Sequence, residues 1–145
     1  MPWSQQPDGR DSWHPLDLMN IEPYISVDGI SFDYSKDKVV TLLGEPTRIK
    51  TNRLKLEEYD YQSQVFRFNQ QSQMQEVTIH AEKLKISGEC FEFGELENLL
   101  KQRDVETFDC YGFLVSPKFG IAFDPTHNPW VTVFSEEGLV QWKKI

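Results

Sequence analysis

YISVDGISFDYSKDKVVTLLGEP, residues 24–46, reads as a complete small folding unit. Ile25 and Val27 stand before Asp28-Gly29, and Ile30 and Phe32 follow it. Asp-Gly between alternating apolar residues predicts a two-residue hairpin, because glycine takes a positive φ at least cost. A helix comes next. Ser35 is its N-cap, Asp37 lies in the electropositive first turn, and Val39, Leu42 and Leu43 share one face. Gly44 suits the left-handed residue beyond the helix, and Pro46 stops the helix from resuming.

The unit recurs. Val27-Asp28-Gly29-Ile30-Ser31-Phe32 matches Ile86-Ser87-Gly88-Glu89-Cys90-Phe91 in the pattern aliphatic-x-Gly-x-x-Phe, and Leu96, Leu99 and Leu100 give a second helical face. Val65-Phe66-Arg67-Phe68 aligns with Gly120-Ile121-Ala122-Phe123, and Val77-Thr78-Ile79 with Val131-Thr132-Val133, at offsets of 59, 55 and 54 residues along the chain. Strands are predicted at 56–61, 65–68 and 74–80, then at 108–115, 119–124 and 130–134, with 138–142 as a closing strand. The expected architecture is α+β: two tandem ββαβββ units, 24–80 and 84–134, with mostly antiparallel sheets and two short helices. One domain of 145 residues holds both, with 1–23 as an N-terminal arm and 135–145 closing the fold. Phe32, Leu43, Phe68, Phe91, Leu100 and Phe123 are the expected core.

Charge narrows the partners. The chain has 23 acids against 15 lysines and arginines, a net charge of −8. A general affinity for nucleic acid or an anionic membrane needs a basic surface instead. The basic run Arg48, Lys50, Arg53 and Lys55 lacks interleaved aromatics and reads as a solvated loop. No apolar run reaches the roughly 20 residues of a membrane helix. The opening MPWSQQPDGRDSW lacks the basic-then-apolar layout of a signal peptide, so the expected compartment is the cytoplasm. Trp3 and Trp13 in the arm either pack onto the domain or form a contact surface.

Motifs for chemistry are sparse. There is no phosphate loop, no H-E-x-x-H and no G-x-S-x-G. Cys90, Cys110, His80 and His127 lack the close pairing of structural zinc ligands. Cys110 with His127 or His14 would be a nucleophile pair without a family signature. The sequence therefore predicts no catalytic residues, metal, cofactor or small-molecule substrate. Acid is concentrated between Ile86 and Cys110, where Glu89, Glu92, Glu95, Glu97, Asp104, Glu106 and Asp109 face only Lys101 and Arg103. Such a face suits docking of a basic protein.

One resemblance goes further. Gly29-Ile30-Ser31-Phe32, Leu42-Leu43-Gly44-Glu45-Pro46 and Tyr59-Asp60-Tyr61 form a pattern of hairpin, short helix, Leu-Gly-x-Pro and tyrosine-containing strand. In this pattern, in length and in acidity the chain resembles the immunity proteins of bacterial contact-dependent growth inhibition systems. A similar Leu-Gly-x-Pro helix ending occurs in outer-membrane assembly lipoproteins and in a protein inhibitor of β-lactamase, both of them exported. The immunity resemblance implies a non-enzymatic inhibitor that binds and neutralises the toxic C-terminal domain, often a nuclease, of a cognate effector. The seven acids are then the expected toxin-binding residues, with Trp3 and Trp13 second. The alternatives are a nucleic-acid-binding sheet module and a small hydrolase using Cys110 or a carboxylate.

Overall fold

The computed structural model describes residues 18–145, so Trp3, Trp13 and His14 lie outside the described residues. Strand β1 (Met19–Glu22) already belongs to the fold, where the sequence suggested only an arm. It is followed by β2 (Ser26–Val27), β3 (Ile30–Ser31) and helix α1 (Lys36–Leu43). Asp28 and Gly29 have φ of 50° and 83°, the primed turn that matches strand twist, and Val27 faces Ile30 across it. Ser35 caps α1 by accepting from the Lys38 N–H at 3.2 Å.

Four strands then run antiparallel: β4 (Arg48–Thr51), β5 (Glu57–Asp60), β6 (Gln64–Phe68) and β7 (Met74–His80). The second half repeats this order. Hairpin β8 (Lys83–Ile86) and β9 (Glu89–Glu92) turns at Ser87-Gly88, with φ of 50° and 88°. A single 3-10 turn (Phe93–Glu95) leads into α2 (Leu96–Arg103). Strands β10 (Phe108–Cys110), β11 (Phe113–Ser116), β12 (Ile121–Phe123) and β13 (Trp130–Phe134) complete the copy. Each half is thus ββαββββ, one strand longer than expected. The basic run supplies edge strand β4 where a loop was expected. The predicted strand 108–115 folds back at Tyr111-Gly112, whose φ values are 50° and 90°.

The closing segment is a helix, α3 (Glu136–Lys144), and not a strand. Ser135 accepts from the Gly138 N–H at 3.3 Å, Glu136 and Glu137 occupy the first turn, and Lys143 and Lys144 the last. That charge order complements the helix dipole. The α+β class therefore holds, with three helices among the described residues in place of two.

The strands form two sheets, one of five in the order β3-β2-β1-β8-β9 and one of eight in the order β10-β11-β12-β13-β7-β6-β5-β4. The middle of the large sheet explains the repeat. There Val77 faces Val133, Thr78 faces Thr132 and Ile79 faces Val131. The aligned threonines meet each other, with their hydroxyl oxygens 2.8 Å apart. A pseudo-two-fold axis passes through that pair, relating β7-β6-β5-β4 to β13-β12-β11-β10. Val65 faces Thr78 and Ala122 faces Thr132, so Val65 corresponds to Ala122 and the sequence alignment of this strand is two residues out. A slip of two leaves every side chain on its own face, so the apolar pattern does not reveal it.

One face of the large sheet packs on the small sheet. The shared core joins Ile21, Val27, Leu84 and Ile86 to Phe66, Val77, Ile121, Phe123 and Val133, with α2 contributing Leu96, Leu99 and Leu100. Phe32, Phe68, Leu100 and Phe123 are buried as expected, and Phe91 is half-buried against the core. Leu43 is not in the core. It is 40% exposed and Leu42 49%, and only Val39 of α1 is buried. The opposite face carries α3 over Cys110, Val115, Ala122 and Phe134, with Leu139 and Trp142 packed against them. A Cβ on Gly138 would meet the Gln75 carbonyl oxygen at 2.6 Å and the Phe134 Cβ at 2.7 Å. Glycine lets α3 lie directly on the strands.

Candidate functional site

Two regions carry chemistry. The first is the acidic margin built by β9, α2 and β10, the last strands of their sheets with the helix between them. Arg103 ties α2 to β9 through Glu89, with Nη1–Oε1 at 2.8 Å and Nη2–Oε2 at 3.2 Å, and its guanidinium lies 5.7 Å from the Phe91 ring centre. Lys101 pairs with Glu97 at 2.9 Å and also feels Asp109 of β10. The fold therefore gathers Glu89, Glu92, Glu97 and Asp109 around α2, and Glu92, Glu106 and Asp109 are exposed.

Besides Glu89, which Arg103 holds, Glu95 and Asp104 also serve the fold. Glu95 Oε1 accepts the Glu92 N–H at 2.9 Å and fixes the entry to α2. Asp104 is only 4% exposed. Its carboxylate accepts the Ser116 hydroxyl at 2.7 Å, the Lys118 N–H at 3.0 Å and the Glu106 N–H at 2.8 Å. Burial pushes this carboxyl up, but those donors, the Lys118 N–H foremost, outweigh burial and hold it below the usual range. Asp104 staples the end of α2 to the β11–β12 turn and offers nothing to a partner. Charge counting along the chain does not see this, since its partners Ser116 and Lys118 lie in another element.

The second region is a cleft of about 220 Å³ on the α3 side of the large sheet, lined by Arg67, Glu76, Thr78, Phe113, Asp124, His127, Trp130, Thr132 and Trp142. Cross-strand pairing builds its floor. Arg67 donates to Glu58 Oε2 at 2.7 Å from Nε, and to Glu76 Oε2 at 3.0 Å and Thr78 Oγ1 at 2.6 Å from Nη1. Trp142 of α3 donates its indole N–H to Glu76 Oε1 at 3.2 Å. Burial works against the Glu58 carboxylate, but Arg67 prevails and holds it low. At Glu76 burial prevails over Arg67 and Trp142 and pushes the carboxyl up.

The walls are aromatic. Trp142 packs on Phe113 at 5.3 Å and on Phe134 at 6.4 Å between ring centres, and Trp130 is braced edge-on by His80 at 5.1 Å. The rim is the 124–129 loop, where Asp124 accepts the Thr126 N–H at 2.9 Å and its hydroxyl at 2.7 Å. Those bonds, the N–H first, hold Asp124 below the usual carboxylate range. His127 Nδ1 stands 3.3 Å from the same carboxylate.

Of these cleft residues only His127 is a candidate from sequence, as a zinc ligand or as the partner of Cys110. Of the hydrolase candidates, Cys110 is buried among Val115, Ala122 and Phe134, while His127 pairs with Asp124. Among the described residues no group of three or more His, Cys, Asp or Glu side chains is arranged to hold a metal ion. In the basic run, Arg48 faces Asp60 at 3.5 Å and Lys50 faces Glu58 at 3.7 Å, which offsets half of its charge.

No family model matches the chain, and no curated protein matches it. Among solved structures it is similar to an extracellular protein containing a SCP domain from Bacillus anthracis str. Ames, with a TM-score of 0.49 and 14% identity. The likeness covers 77% of this chain and 46% of that one, so the chain spans less than half the length of that protein. Among the described residues no helix is long and apolar enough to cross a membrane.

Proposed function

We propose that this chain is a non-enzymatic inhibitor of the immunity type its sequence resembles. It acts in the cytoplasm by covering a basic toxin domain with the β9–α2–β10 margin. The observation that carries the reading is the convergence of Glu89, Glu92, Glu97 and Asp109 around one short helix, at adjoining edges of two sheets. A toxin that acts on nucleic acid is basic near its substrate groove, and an acidic margin competes there by the same electrostatics.

Glu92, Glu106 and Asp109 are the residues to reverse, because they are exposed, although Glu92 also shares a capping box with Glu95 at the entry to α2. The test titrates the purified Glu92→Lys/Glu106→Lys/Asp109→Lys variant against the C-terminal domain of the effector encoded beside its gene. Binding is expected to be lost at low and moderate salt, while single reversals slow association and lose their effect as salt rises. Unchanged affinity in the folded triple variant moves the interface elsewhere. Nucleic-acid cleavage by this chain alone overturns the inhibitor reading.

A further inference from the structure

The aromatic cleft stands apart from the acidic margin, and its chemistry selects a different occupant. Its floor and walls follow from register. Thr132 faces Thr78, and two residues away on the same side of β13 stand Trp130, facing His80, and Phe134, facing Glu76. At about 3.3 Å per residue the two ends lie roughly 13 Å apart along the strand. Trp130 stands at one end and Trp142, held by Glu76 and Phe134, at the other, with the threonine pair between them. Both indoles are braced, so the cleft is preformed.

The floor's polar groups are largely spent inside the protein. Thr78 accepts from Arg67 and shares a hydrogen with Thr132, and Glu76 has one oxygen on Trp142 and the other on Arg67. An occupant therefore gains little from offering several N–H or O–H donors. What remains is ring surface and an excess of negative charge. Lys50 and Arg67 balance Glu58 and Glu76, which leaves the Asp124 carboxylate at the rim without a lysine or arginine partner among the described residues. Three aromatic rings, Phe113, Trp130 and Trp142, beside the Asp124 carboxylate attract a diffuse cation that needs no hydrogen bonds.

We propose that the cleft is a cage for a quaternary ammonium group, carried by a small methylated amine or by a trimethylated lysine side chain. The inference rests on the cleft alone and does not require the docking margin. Size agrees, since 220 Å³ admits a trimethylammonium head with a short alkyl stem and little else.

The test follows the tryptophan indole N–H signals of the full chain by heteronuclear NMR. Three probes are added in turn: choline, its neutral carbon isostere neopentylcarbinol, and a trimethyllysine peptide. Choline is expected to shift the Trp130 and Trp142 signals, and the neutral isostere to leave them in place. Trp130→Ala and Asp124→Asn should each weaken binding by about fivefold, with Trp130→Phe between wild type and Trp130→Ala. A tighter fit for the peptide assigns the occupant to a protein, and a tighter fit for choline assigns it to a free amine. Equal shifts with the neutral isostere reduce the cleft to an apolar dent and overturn the proposal. So does the absence of any shift at Trp130 and Trp142 up to about 10 mM choline, the weak end of useful affinity.

Discussion

The two halves share one topology and differ in how they cover their surfaces. In the second half α2 buries Leu96, Leu99 and Leu100, and α3 roofs the back of the sheet over Cys110, Val115, Ala122 and Phe134. In the first half α1 buries Val39 alone, and the back of the sheet carries an ion ladder. Lys50 lies 3.7 Å from Glu58, Glu58 2.7 Å from Arg67, and Arg67 3.0 Å from Glu76. An antiparallel sheet can leave one face to water if that face is polar. The first half takes that course, while the second needed a helix because its back face is apolar. The cleft lies where roof and ladder meet.

The comparison can be broken at its helices first. Leu100→Ala should cost about 2–5 kcal/mol in denaturant unfolding, as large-to-small core changes do. Leu43→Ala, at the last residue of α1, should cost under about 1 kcal/mol, since much of that side chain already meets water. Equal losses would mean that α1 is buried as deeply as α2.

Asp104 comes next, because the first half ties α1 to the β5–β6 turn by a single bond of this kind, from the Tyr61 hydroxyl to the Gly44 carbonyl at 2.7 Å. Asp104→Ala strands the Ser116 hydroxyl and two backbone N–H groups and should cost about 3 kcal/mol. Its pH dependence has a defined sign. Folding holds this carboxyl below its ordinary value of 3.8, so its contribution is complete above that pH and is lost as pH falls through the lower folded value. Wild type should lead Asp104→Asn at neutral pH, and the lead should shrink in acid. A lead that grows on acidification reverses the assignment.

Gly138→Ala tests the roof. The new methyl meets the Gln75 carbonyl oxygen and Phe134, so overpacking should cost about 1–3 kcal/mol and lift Trp142 from Glu76. Tryptophan fluorescence together with denaturation reads both effects. The smallest effect belongs to the outer rung of the ladder. Lys50 is largely exposed, and Lys50→Ala should change stability by under about 0.5 kcal/mol. A larger loss would make the rung structural.

What sequence conveys about this molecule follows from the range of each interaction. Asp28-Gly29 and Ser87-Gly88 announce their turns locally, and Ser35 and Gly44 bound α1 as expected. Tyr111-Gly112 makes the same turn, but a tyrosine with positive φ has no compositional signature, so β10 and β11 read as one strand. At the chain's end Leu139, Val140 and Trp142 suggested a strand, while the deciding signals were the Ser135 cap, Glu136-Glu137 and Lys143-Lys144. Those signals were legible. The burial of Asp104 was not, because it depends on where the β11–β12 turn folds. The cleft was also hidden, since Arg67, Glu76, Asp124, Trp130 and Trp142 meet only after the central strands pair. Leu42 and Leu43 show the converse case: an apolar stripe predicts a helix more surely than it predicts what covers it.

The threonine pair at the centre of the large sheet bears on ancestry. A residue facing its own counterpart across antiparallel strands is what an isologous contact between two identical chains produces. A half-length polypeptide ending its sheet at β7 would present that strand as an open edge, and a second copy would satisfy it with Thr78 against Thr78. Tandem fusion turns that encounter into an intramolecular one, at a local concentration no dilution can lower. It also removes the demand that both partners stay identical, so one half can carry a helical roof that the other lacks.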